Sequence, residues 1–219
     1  MKGILIFALM VAALCGSAQD NGFSTYYNQK RTLFEQLPDT RHEIIFLGNS
    51  ITDGAEWAEL FNNPRIKNRG ISGDTTDGIL YRLKEVTSSS PDKIFLMIGI
   101  NDLSRDVAKE TVFANICRIA EQIRKVSPRT EVFVQSILPV NASLGKFAKH
   151  TNKGAEVIWV NNRLKDWCGQ NNYKYIDIYS RLVTPGTQEL NPEYTNDGLH
   201  LTSGGYLRWA EVIRPDVKK

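Results

Sequence analysis

Four short segments of this 219-residue chain carry residue types suited to acyl transfer, and they lie far apart in sequence. Ser50 follows an apolar run, Glu43 to Leu47, inside Gly48 Asn49 Ser50 Ile51 Thr52 Asp53 Gly54. A run of Ile, Phe and Leu bounded by Gly reads as a buried strand, and a Gly shortly before Ser permits a tight turn that leaves the hydroxyl approachable. By itself the segment reads more readily as an ordinary strand-to-helix turn. Near the C-terminus, Asn196 Asp197 Gly198 Leu199 His200 places a carboxylate three residues ahead of an imidazole. A turn of that length can fold Asp197 onto one ring nitrogen of His200 and leave the other facing Ser50, which fixes the tautomer that a general base requires. Of the three histidines, His42, His150 and His200, only the last combines such a spacing with a Gly-rich loop.

Two further segments supply hydrogen-bond donors. Gly70 Ile71 Ser72 Gly73 Asp74 Thr75 Thr76 puts glycines just ahead of helix-capping residues. A helix mouth bares backbone N–H groups, and Gly73 can point one at a developing anion; the bland reading is a helix cap alone. The apolar run Lys93 to Ile98 enters Gly99 Ile100 Asn101 Asp102, so the Asn101 amide sits just past a strand and can donate to an oxyanion, although Asn is also frequent in such turns.

The elements that must position these groups follow from periodicity. Strand-like runs at Glu43 to Leu47, Ile66 to Asn68, Lys93 to Ile98, Glu131 to Ile137 and Lys174 to Ile178 alternate with helical patterns. That alternation predicts one α/β domain over 19–219, a parallel sheet with helices on both faces. From Val107 to Val126, the residues Val112, Ile116, Ile119, Ala120 and Ile123 form a core-facing stripe ended by Ser127 Pro128. A second helix is expected around Ala155, Ile158, Trp159 and Trp167.

Taken in order, Ser50, Gly73, Asn101 and the pair Asp197 with His200 resemble the four blocks of the GDSL or SGNH hydrolases, over about Ile44 to Tyr206. Within that family, Gly73 Asp74 Thr75 Thr76 and His200 to Tyr206 look most like the catalytic subunits of platelet-activating-factor acetylhydrolases, with features shared by bacterial carbohydrate O-acetylesterases. The resemblance implies a serine esterase with Ser50 as nucleophile, Asp197 and His200 completing the triad, and an oxyanion hole from the N–H groups of Ser50 and Gly73 and the Asn101 amide. Asn49 stands where the family usually has Asp, which should change loop hydrogen bonding and local charge without removing a catalytic group. Together with right-handed crossovers, the likeness points to a flavodoxin-like three-layer sandwich of strand order 2-1-3-4-5, whose switch-point crevice would gather all four segments.

The rest of the chain narrows the function. Met1 Lys2 Gly3, the apolar stretch Ile4 to Leu14 and the small residues Gly16 Ser17 Ala18 read as a signal peptide cleaved after Ala18, hence an exported protein. A lipoprotein via Cys15 ranks second, because the preceding Leu14 is bulky. The basic residues are scattered over a net charge of +3, which argues against a nucleic-acid partner. Cys117 and Cys168 read as buried small hydrophobes or one disulfide. No Cys or His pair has metal spacing, so neither a metal nor another cofactor is expected. Short loops and the lack of a lid-like apolar segment favour a small acyl group, acetyl on a sugar, over a long-chain lipid ester. Trp57, Tyr194 and Asn196 are candidate substrate contacts, with packing and turn formation explaining each equally well. A lysophospholipase-like activity is the alternative. A flavodoxin-like module binding flavin or phosphate ranks below it, since Asp197 and His200 would then have no task.

Overall fold

The structure is a computed structural model that describes residues 22–218; the expected leader peptide, its cleavage point near Ala18 and Cys15 lie outside the described residues. Five parallel strands form one sheet: β1 (Ile44–Gly48), β2 (Ile66–Gly70), β3 (Lys93–Met97), β4 (Glu131–Gln135) and β5 (Lys174–Ile176). Their order is β2-β1-β3-β4-β5, as the sequence led us to expect. Between and around them run α1 (Thr25–Gln36), α2 (Ser50–Asp53), α3 (Trp57–Leu60), α4 (Thr76–Thr87), α5 (Ile100–Ser104), α6 (Lys109–Val126), α7 (Ala148–Thr151), α8 (Gly154–Asn171), α9 (Tyr179–Leu182) and α10 (Ser203–Lys218).

The strand order sorts the helices into layers. The chain steps one way from β1 to β2 and the other way through β3, β4 and β5, so right-handed crossovers place the two sets of connections on opposite faces. On one face α4 packs on α6 and α6 on α8. On the other lie α3 and α10. Register explains that second face: Phe46, Phe95 and Phe133 are paired across β1, β3 and β4, and their rings stack with centroids 5.0 and 4.5 Å apart. Trp57 covers Phe46 at 4.2 Å, and Trp209 of α10 meets Trp57 edge-on at 4.8 Å. Such aromatic pairs contribute about 0.5–1.5 kcal/mol each beyond area burial.

Local differences from the sequence reading have local causes. β3, β4 and β5 stop one or two residues early. At β4 the reason is the Ser136 hydroxyl, which accepts from the N–H groups of Ile178 and Tyr179 and diverts both chains from the ladder. α6 starts at Lys109 and not Val107, after Asp106 takes a left-handed φ of 60°. α1 carried no sequence signal that we recognised; it buries only Tyr27 and Phe34, too narrow a stripe to stand out. Cys117 and Cys168 are both buried and unbonded, and burial pushes each thiol up to about 12. No helix among the described residues is long and apolar enough to cross a membrane.

Candidate active site

The site is built at the carboxyl ends of β1, β2 and β3, on both sides of the point where strand order reverses. Asn49 follows β1 and caps α2: its Oδ1 accepts from the Ile51 N–H at 3.0 Å. Ser50 is therefore the first residue of a helical turn, half-buried, with its hydroxyl 3.1 Å from His200 Nε2. The two residues are 150 positions apart. Asn49 is fully buried, and its Nδ2 has no hydrogen-bond partner among the described residues. The amide thus keeps the cap while leaving a polar nitrogen unsatisfied next to Ser50.

His200 is oriented from behind. Its Nδ1 lies 2.9 Å from Asp197 Oδ2, while Asp197 Oδ1 accepts from the backbone N–H groups of Leu199 and His200, each at 2.8 Å. Burial pushes the Asp197 carboxyl up, but these bonds from the His200 ring and the two amides together hold it below its ordinary value. An ionised Asp197 requires the proton on His200 Nδ1, which leaves Nε2 to accept from Ser50. Gly198 makes the turn possible: its φ is +83°, and a side chain there would run into the Asn141 carbonyl. The same contact ties the loop down, because the Asn141 N–H donates to Gly198 O at 2.9 Å.

Across the serine lie the donors. Gly73 adopts φ +79°, a left-handed conformation that glycine takes without strain. Its carbonyl is held by Arg105 Nη2 at 2.8 Å. The N–H groups of Ser50 and Gly73 make no hydrogen bond among the described residues. Asn101, in the first turn of α5, is 6% exposed and donates from Nδ2 to the Asp74 carbonyl at 2.8 Å. Beneath it a buried pair, Asp74 with Arg82 at 2.9 Å, braces the segment, and Arg82 also donates to Arg69 O at 2.7 Å. The carboxylate of Asp102 accepts from the Thr76 N–H and hydroxyl, yet burial dominates and pushes it up to about 6.

A hydroxyl on an imidazole, an imidazole on a carboxylate and free donors opposite form an arrangement suited to nucleophilic acyl transfer. A family model, GDSL-like Lipase/Acylhydrolase, matches residues 46–208. The chain belongs to this family of acylhydrolases. Platelet-activating factor acetylhydrolase IB subunit alpha2 of Rattus norvegicus is 28% identical over 213 residues, 93% of this chain and 87% of that protein. A solved Streptococcus pneumonia protein described as of platelet-activating-factor type superimposes with a TM-score of 0.80 at 27% identity, covering 88% of this chain and 92% of that one. An acetylxylan esterase from Geobacillus stearothermophilus shares the fold, with a TM-score of 0.63 at 16% identity over 82% of this chain and 96% of its own.

The structure thus brings Ser50, Asp197, His200, Gly73 and Asn101 to one edge. Trp57 is a correction: it is 1% exposed, stacked on Phe46, with Nε1 donating to Thr52 O at 2.9 Å, so it has no face to offer a substrate. Tyr194 is half-buried against the core, and Asn196 is exposed on the rim, where its carbonyl faces Lys146 Nζ at 3.5 Å. Sequence reasoning missed His150, whose Nε2 lies 3.0 Å from Asn101 Oδ1, and Phe147, whose ring meets both imidazoles edge-on, His200 at 5.1 Å and His150 at 6.0 Å. Their signal was position alone, in the loop after β4 on the same sheet edge.

Proposed function

We propose that this acylhydrolase is a serine esterase that removes short acyl groups, acetyl above all, from an acetylated sugar. The observation that carries the reading is the pair of contacts at 3.1 and 2.9 Å joining Ser50, His200 and Asp197. In this mechanism His200 Nε2 takes the Ser50 proton as the oxygen attacks the ester carbonyl. The N–H groups of Ser50 and Gly73 and the Asn101 amide hold the resulting oxyanion. The imidazolium, stabilised by Asp197, returns the proton to the leaving alcohol. Water then repeats the sequence on the acyl-serine, releasing the acid and restoring the Ser50 hydroxyl.

The acyl preference is supported by what surrounds the serine. On one side Asn101 and His150 are hydrogen-bonded to each other and Arg105 holds the Gly73 carbonyl, and the Phe147 ring lies edge-on to His200. A long acyl chain gains about 0.8 kcal/mol for each methylene it buries in an apolar trench, and such a rim offers little of that. The relatives named acetylhydrolases favour acetyl; their names also favour a second reading, in which the acetyl group sits on a lipid-like alcohol. Measuring acetate release from acetylated xylo-oligosaccharides beside hydrolysis of long-chain esters tests both. Faster acetate release from the sugar supports the first reading, and preference for long acyl chains overturns it. Tyr194 and Asn196 remain the candidate alcohol-side contacts. We also read the protein as exported, with the mature chain starting at Gln19; an intact Met1 in protein recovered from its source cells would contradict this.

A further inference from the structure

His150 belongs to no part of the mechanism above, yet it touches the oxyanion side of the site. The hydrogen-bond inventory around Asn101 fixes which atom does what. Asn101 Nδ2 lies 2.8 Å from the Asp74 carbonyl, which can only accept, so the atom facing it carries hydrogens. The atom facing His150 Nε2 at 3.0 Å is then the amide oxygen, which also only accepts. The proton between them must sit on the imidazole. Neutral His150 is therefore the Nε2–H tautomer, the reverse of His200, whose Nδ1 faces Asp197 and whose Nε2 faces Ser50.

An Asn side chain held at one N–H alone can still swing about its last torsion, whereas one held at both the oxygen and one N–H presents its remaining N–H in a single direction. A bond to the oxygen also polarises the amide and strengthens its N–H groups as donors. Burial, the neighbouring His200 and the charge of Arg105 lower the His150 pKa, so the ring donates without adding a second cation beside the imidazolium of the reaction. The turn that carries the ring is tied down, with the His150 backbone N–H donating to Phe147 O at 2.7 Å and the Thr151 hydroxyl to Lys146 O at 3.2 Å, and the Phe147 ring packs edge-on against the imidazole.

We propose that His150 is a positioning residue, whose Nε2–H holds the Asn101 amide so that its second N–H is aimed at the oxyanion; the claim rests on the acyl-serine mechanism proposed above. The test uses turnover of a short-chain chromogenic ester by four variants. His150→Phe keeps a ring without a donor, and we expect kcat to fall on the order of tenfold to a hundredfold with KM changed by less than about twofold. His150→Gln, which restores an N–H at similar reach, should recover most of that loss. In an Asn101→Ala background, His150→Phe should add nothing further. Wild-type kcat in His150→Phe, an equal loss in both backgrounds, or a Gln variant as poor as Phe would each overturn the assignment. Nitrogen-15 NMR of the wild-type imidazoles reads the same pairing without turnover: neutral His150 should show Nε2–H, and Nδ1–H would overturn it. A wild type that hydrolyses no ester would instead refute the esterase reading and leave the tautomer result to stand on its own.

Discussion

Two histidines stand at the same site, one against Ser50 and one against Asn101, and they are built in opposite ways. His200 takes its partner from three residues away: one turn, closed by Gly198, supplies the carboxylate and two backbone N–H bonds that orient it. His150 takes its partner from 49 residues away, through an amide on another strand's end. The loops carrying them meet where the Asn141 N–H donates to Gly198 O, so the His200 side and the Asn101 side of the site share one anchor. A charged, mobile proton needs a carboxylate held close and low, whereas a fixed donor needs only a neutral neighbour that keeps it aimed.

Asp197→Asn keeps the shape but removes the charge that favours the imidazolium and fixes the tautomer, so kcat should fall about ten-thousand-fold with the fold intact, as measured by turnover and circular dichroism. A loss of only a few-fold would mean that the His200 loop is oriented by its backbone bonds alone. On the other side, Asn101→Ala removes one oxyanion donor and should lower kcat about a hundredfold to a thousandfold, with KM nearly unchanged. Equal effects at the two positions would erase the distinction between moving a proton and holding a charge.

What could be read from sequence follows the same division. Asp197 and His200 stood out because their spacing is local, whereas Ser50, Gly73 and Asn101 each read alone as an ordinary turn or cap and were picked out by the resemblance of the four ordered segments to the GDSL or SGNH hydrolases. The strand order was legible because right-handed crossovers over alternating strands and helices, taken together with the family likeness, pointed to one winding of the sheet. His150 was not legible: nothing near it in sequence hints at Asn101, and only the approach of the loop after β4 to the start of α5 joins them. Trp57 misled for the converse reason, since an aromatic near the nucleophile in sequence turned inward onto Phe46. The capped turn that aims Ser50 outward sends the next helix back over the sheet.

Two carboxylates of the site contrast in the same way. Asp197 is held below its ordinary value, so its contribution to stability is present above the unfolded value near 3.8 and is lost as the pH falls through the folded one. Asp102 runs the other way, from 3.8 unfolded to about 6 folded. Between those values the folded state binds the extra proton, so this group's contribution weakens as pH rises from about 4 to about 6 and is level above. Asp102→Asn removes that dependence, and its stability relative to wild type should grow across this window by up to about 3 kcal/mol. Denaturant melts at several pH values check it, and a difference independent of pH would assign Asp102 an ordinary carboxyl.

In the proposed mechanism Ser50 is the nucleophile and His200 its base. The most direct test is labelling with a serine-directed phosphonate ester, followed by peptide mass spectrometry. We predict one adduct, on Ser50, formed at the rate at which ester turnover is lost, and none in Ser50→Ala or, on the same timescale, in His200→Ala. Full loss of turnover with the adduct on another residue, or turnover surviving in Ser50→Ala, would contradict the account.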